Sequence, residues 1–133
     1  MQMFYLDSMK WFMDLYGHRL PALTMDISSD STLLVSGSAD KNIKFWGLDF
    51  GDCHKSLFAH NDSVMSVAFV NKTHYVFTSG KDGAVKYWDA DTHELLLDLP
   101  AHHGAVCCLT YVDSLASTCV RVQRRNWWWL SPC

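Results

Sequence analysis

The chain has 133 residues, 49% apolar and 14% aromatic, with a formal charge of −3 and an isoelectric point near 6.1. That length suits one domain with a respectable core, and the acidic balance argues against a generic polyanion binder, which needs a clustered basic face. Charge is unevenly divided: residues 1–120 hold fourteen acids against eight bases, whereas Arg121, Arg124 and Arg125 follow with no acid beyond Asp113.

From the N-terminus, Met1 to Tyr16 is apolar but interrupted by Asp7, Lys10 and Asp14. It therefore offers neither the apolar core of a signal peptide nor the roughly 20 uninterrupted apolar residues of a membrane span. A soluble intracellular protein without membrane association is expected. Five irregularly spaced cysteines, Cys53, Cys107, Cys108, Cys119 and Cys133, are odd in number and point to reduced thiols rather than a secreted disulfide framework.

Short runs rich in β-branched and aromatic residues follow, bounded by turn formers, and predict strands. Thr24–Ile27, Leu33–Ser36, Ile43–Trp46 and Ser56–Phe58 form one set; Ser66–Val70, Tyr75–Thr78, Val85–Trp88 and Asp98–Pro100 form the next. In the third strand of each set lysine alternates with apolar residues, so Ile43 and Phe45, or Val85 and Tyr87, share one face of a half-buried strand. Asp40-Lys41-Asn42 and Asp82-Gly83 precede those strands and suit a tight hairpin with positive φ. Pro100 has no amide to donate, which puts the last strand at a sheet edge. Helical periodicity is absent, and the fold class is all-β.

The two sets are one repeat. His18, His60 and His102 recur at one constant interval, and the same interval separates Asp40 from Asp82 and Trp46 from Trp88. Apolar positions keep the same shift, as in Leu15, Leu57 and Leu99. A four-stranded unit with a period of about 42 residues, Gly-His early and Trp-Asp late resembles the WD40 repeat of β-propellers. Gly17-His18, Asp40 and Trp46-Gly47 carry the likeness in one unit, and Ala59-His60, Asp82 and Trp88-Asp89 in the next, with Gly47 and Ala59 as mild departures.

The resemblance implies an incomplete propeller of about two full blades plus partial blades at both ends. Residues 1–18 would end a preceding blade, with Phe4 in the tryptophan position and Met9–Tyr16 as the outer strand; 19–60 and 61–102 are WD repeats. Residues 103–120 would begin a truncated repeat, since Arg124 and Leu130 stand where aspartate and tryptophan are due, and 121–133 form a basic, Trp-rich tail foreign to the repeat. The family further implies buried networks of His18, Ser36, Asp40 and Trp46, and of His60, Thr78, Asp82 and Trp88. It sets Arg19, Lys41, Asn61 and Lys81 in candidate partner-facing loops, although plain solvated polar groups fit these positions equally well.

The run from Gly37 to His60 is also similar to the last propeller of a eukaryotic family of nucleolar WD-repeat proteins in the UTP-B subcomplex of the small-subunit processome. Leu48 to Leu57 is its distinctive part, being outside the shared signature, and the likeness covers residues 4–111. It implies a non-enzymatic scaffold in pre-ribosomal RNA processing and 40S ribosome biogenesis, located in the nucleolus. Its partners would be other proteins of a multi-subunit ribonucleoprotein assembly that binds small nucleolar RNA, with RNA contacted mainly indirectly. No cofactor is implied.

Competing readings carry less. His60, His102, His103, Cys107 and Cys108 match no usual zinc-ligand spacing. Asp40 and Asp82 are equivalent under the repeat, so they belong to different blades and not to one catalytic pair. Trp127-Trp128-Trp129 behind three arginines suits a membrane anchor or a base-stacking strip, but a non-native C-terminus from a changed reading frame or an unusual exon accounts better for the abrupt end of the repeat. Three alternatives to the scaffold remain: a truncated, poorly folded or competing product, a WD40 adaptor of another complex, and an RNA-binding module.

Overall fold

A computed structural model describes the backbone of residues 2–4, 6–99, 106–114, 117–124 and 127–130, and the side chains of 2–4, 6–10 and 14–99. The described residues contain antiparallel strands and no helix. Strands β1 (Gln2–Phe4) and β2 (Trp11–Asp14) pair with each other. Strands β3 (Ala22–Ile27), β4 (Leu33–Ser38), β5 (Asn42–Gly47) and β6 (Cys53–Phe58) form a four-stranded meander. The next meander repeats it, with β7 (Val64–Phe69), β8 (Tyr75–Gly80), β9 (Val85–Asp89) and β10 (Glu94–Leu99). Strands β11 (Val106–Ser114), β12 (Ser117–Arg124) and β13 (Trp127–Leu130) make a third sheet.

Turn chemistry explains the meanders. At the β4–β5 hairpin Lys41 takes φ 71° and Asp40 Oδ1 accepts the Asn42 amide at 3.0 Å; at β8–β9 Gly83 takes φ 83° and Asp82 Oδ1 accepts the Ala84 amide at 3.1 Å. The β5–β6 and β9–β10 turns match as well, since Gly51 (φ 68°) donates to the Gly47 carbonyl and His93 (φ 60°) to that of Asp89. His93 adopts a left-handed conformation that glycine takes more readily, and its ring sits edge-on to Phe45 of the other meander, 5.1 Å between centroids. As expected, β10 is an edge strand; Pro100 itself lies outside the described residues.

Each sheet stacks face to face on the next. The strand β7 pairs with β8 in its own sheet and also touches β3 and β4 of the first meander and β11 of the third sheet. Between the two meanders lies a core of Val35, Ile43 and Phe45 against Val64, Val67, Phe69, Val76 and Trp88. On its other face the first meander buries Leu34 and Trp46 against Leu15 and Met3. The third strands are therefore covered on both faces and not half-buried, because each sheet is sandwiched. Only Lys44, Lys86, Tyr87 and the strand ends keep partial exposure there.

Gly37 permits the close approach. A Cβ built on it would stand 2.5 Å from Val64 Cγ1 and 2.9 Å from Thr24 Cγ2. Gly37→Ala should therefore cost about 1–3 kcal/mol through overpacking, read as a lower urea midpoint with unchanged slope.

An edge problem is solved at the same seam. The strand β7 ends its sheet, so its outward amides lack ladder partners. Side chains of the preceding unit take two of them, with Thr24 Oγ1 accepting from Val67 N (3.3 Å) and Asp26 Oδ2 from Phe69 N (2.7 Å), and in the turn that follows Ser29 Oγ accepts from Lys72 N (3.1 Å).

The third sheet departs in detail. Its second strand begins at Ser117, one full repeat after Tyr75, but runs on to Arg124, which pairs in register with Trp127. The position due for the hairpin aspartate thus lies within a strand.

Candidate functional site: a turn-end face above two buried relays

Four side chains in each meander form a chain of hydrogen bonds. Trp46 Nε1 donates to Ser36 Oγ at 2.9 Å, Ser36 Oγ meets His18 Nε2 at 2.6 Å, and His18 Nδ1 meets Asp40 Oδ2 at 3.2 Å. One repeat later, Trp88 Nε1 donates to Thr78 Oγ1 at 2.9 Å, Thr78 Oγ1 meets His60 Nε2 at 2.9 Å, and His60 Nδ1 meets Asp82 Oδ1 at 3.1 Å.

Donor arithmetic fixes the protons. Indole can only donate and an ionised carboxylate can only accept. The ring therefore donates from Nδ1 to aspartate, and Nε2 accepts the hydroxyl proton while the hydroxyl oxygen takes the indole N–H. Every link is satisfied by a neutral histidine. Burial lowers the affinity of His18 and His60 for a second proton, and in both it outweighs the aspartate's pull. Burial alone would raise Asp40 and Asp82. Amides of Asn42 and Arg19 on Asp40, and of Asn61 and Ala84 on Asp82, together with the histidines, more than offset it and leave both carboxyls below their usual range.

The relays end in one surface band. Asp40 Oδ2 accepts the Arg19 amide (3.1 Å), and the Lys41 carbonyl accepts the amides of Ala59 (3.1 Å) and His60 (3.3 Å). Asp82 Oδ2 accepts the Asn61 amide (3.0 Å), and the Lys81 amide reaches the Ser63 carbonyl (3.0 Å). Arg19, Lys41, Asn61 and Lys81 are all exposed, on turns at the same end of the two meanders. Both aspartates beneath are consumed by the turns, so this end presents cations while Asp62 adds one exposed acid. The opposite turns carry Asp30, Asp49, Asp52, Asp89 and Asp91 against Lys72.

Asp40 and Asp82 lie in separate sheets, each in its own hairpin. Among the described residues no three His, Cys, Asp or Glu side chains gather to hold a metal ion. His102, His103, Cys107, Cys108 and the Trp127–Trp129 side chains lie outside the described side chains. No helix among the described residues is long and apolar enough to cross a membrane.

Two arrangements went unforeseen: the edge caps Thr24, Asp26 and Ser29, and a bridge at the acidic end where His74 Nε2 meets Asp30 Oδ2 (2.6 Å) and Nδ1 meets Asp91 Oδ1 (2.9 Å). The Asp26 cap and the His74 bridge could not be found by periodicity, because Ala68 replaces Asp26 in the next unit and Thr32 stands one repeat before His74.

Two successive four-stranded meanders, stacked face to face and each locked by a His–Asp–hydroxyl–Trp relay, define an incomplete WD40 β-propeller. The chain belongs to the family of the WDR3 second beta-propeller domain, whose family model matches residues 1–125. That membership agrees with the resemblance carried by Gly37–His60. The chain is also similar in structure to U3-55K, with TM-score 0.81 and 27% identity over 91% of this chain and 38% of that one. The WD40 repeats of RRP9 match with TM-score 0.81 and 27% identity over 91% of this chain and 37% of that one. Among curated relatives, the kinesin-like protein KIF21A of Homo sapiens is 40% identical over 62 residues, covering 47% of this chain and 4% of its own length. A Lissencephaly-1 homolog of Monosiga brevicollis is 34% identical over 53 residues, covering 40% of this chain and 13% of its own. The chain thus spans well under half of each of these relatives.

Proposed function

We propose that the chain is a non-enzymatic protein-interaction scaffold within a nucleolar ribonucleoprotein assembly that processes pre-ribosomal RNA, and that it receives protein partners on the turn-end face of Arg19, Lys41, Asn61 and Lys81. The observation that carries this reading is the anchoring of Arg19, Lys41 and Asn61 by backbone hydrogen bonds to relay residues, with Lys81 next in sequence to the relay residue Asp82 and held by Ser63. A hydrogen-bonded backbone thereby presents exposed Arg19, Lys41 and Lys81 with Asn61 beside them, the arrangement that suits recognition by charge complementarity. Family membership over residues 1–125 supports the assembly. An acidic body, with fourteen acids against eight bases in residues 1–120, supports protein rather than RNA as the direct partner.

The test is affinity purification of the tagged chain from nucleolar extract beside the triple variant R19E/K41E/K81E, with and without ribonuclease. The native chain should recover UTP-B proteins in a ribonuclease-resistant manner, and the triple variant should recover about tenfold less at an unchanged melting temperature. Equal recovery by both, or recovery that ribonuclease abolishes, would overturn the proposal.

A further inference from the structure

At the end of the seam opposite the cationic face, three turns from two sheets converge on one imidazole. His74 lies in the β7–β8 turn and Asp91 in the β9–β10 turn of the second meander; Asp30 lies in the β3–β4 turn of the first. Both ring nitrogens are engaged by carboxylates, at 2.6 Å to Asp30 and 2.9 Å to Asp91. Carboxylate oxygens only accept, so both nitrogens must donate, and only the imidazolium carries two N–H groups. This is the reverse of His18 and His60, whose geometry demands a neutral ring.

Asp30 is well held for the purpose. Its Oδ1 accepts Ser28 Oγ (2.5 Å), Thr32 Oγ1 (2.8 Å) and the Thr32 amide (3.1 Å), which leaves Oδ2 aimed across the seam. A second cross-sheet bond lies beside it, from Lys72 N to Ser29 Oγ at 3.1 Å.

We propose that Asp30, His74 and Asp91 form a proton-dependent clasp between the two meanders, closed while the ring carries both protons and opened at one carboxylate when it loses one. Among the described residues, the charged groups beside His74 are Asp30, Asp91, Asp89 and Lys72. Three acids against one base favour the cationic ring. The hydrogen bond to Asp30, then that to Asp91, raises the proton affinity of His74 above its ordinary value, and the slight burial opposes this without cancelling it. A raised folded value means that the clasp contributes in full below pH 6.5 and is lost as pH rises through the folded value. The buried relays and the clasp thus respond to pH in opposite senses, since acid weakens the relays and base opens the clasp.

The test follows the Lys72 amide by hydrogen exchange between pH 6 and 9, as protection factors that remove the intrinsic pH dependence, and the His74 ring by NMR titration. In the intact native chain, protection should fall about three- to fivefold as the ring deprotonates, and D30N should move the ring's midpoint toward pH 6.5. H74Q should abolish the pH dependence while leaving the far-UV spectrum unchanged, because His74 is a partly exposed turn residue. D91N, which keeps the Asp30 contact, should retain a smaller fall. Protection that does not change with pH in the native chain, or a ring midpoint that D30N does not move, would overturn the clasp.

Discussion

Trp46→Ala is expected to cost about 3–5 kcal/mol, a large share of the roughly 5–15 kcal/mol available to a domain of this kind. Two losses combine. The indole is 2% exposed and packs beside Leu34 of its own meander against Leu15 and Met3, so its removal opens a cavity in a seam with little room to relax. The same change takes the indole proton from Ser36 Oγ, a fully buried hydroxyl that also serves His18. Trp46→Phe separates the two effects: it keeps most of the volume and should cost only about 1–2 kcal/mol for the missing bond. Urea unfolding followed by far-UV circular dichroism checks both variants. A W46A chain as stable as the native one would mean that the indole does not tie the sheets together.

His60→Ala should destabilise by about 2–4 kcal/mol, because it strands a buried hydroxyl and removes the ring donor of a carboxylate in a low-dielectric site. Thr78 keeps only its tryptophan donor, whereas Asp82 retains the amides of Asn61 and Ala84. His60 and Asp82 should therefore couple in a double-mutant cycle by roughly 0.5–3 kcal/mol. The pH dependence carries a definite sign. Burial lowers the folded proton affinity of His60, so its contribution is complete above pH 6.5 and is lost as pH falls below that value. Asp82, held below its ordinary 3.8, adds a further loss only in stronger acid. The native chain should thus lose stability between pH 7 and 5 more steeply than H60A does; His18 and His93, whose proton affinities burial also lowers, add to the remaining slope in H60A, and His74 opposes it. Equal slopes would show that the ring is not held neutral.

The repeat was legible because its chemistry recurs at a fixed spacing. Indole, hydroxyl, imidazole and carboxylate each occupy one position per repeat, and the hydrogen-bonded chain they form follows from what each can donate. Strand centres were legible for the same reason, but strand ends were not. Ser38 and Gly80 look like turn formers, yet both are buried in strands, and the Ser38 hydroxyl reaches the Leu20 and Pro21 carbonyls at 2.9 Å. The outer strands start at Cys53 and Glu94, earlier than Ser56 and Asp98, because their exposed faces lack the alternation that marks a half-buried strand. Burial on both faces of β5 depends on stacked neighbours and is invisible to the pattern of one strand. The Asp26 edge cap and the His74 clasp were hidden further still, since they join different units and are written once instead of repeated. Functional legibility was narrower: the constant period led to the WD40 class, and Leu48–Leu57, outside the shared signature, pointed to the particular family.

The central claim is that the repeat builds the same relay twice around a neutral histidine, and nitrogen-15 NMR of the imidazole rings tests it most directly. At pH 7 the rings of His18 and His60 should each show a protonated Nδ1 and an unprotonated, hydrogen-bonded Nε2. A proton on Nε2 of His60, alone or together with Nδ1, would contradict it.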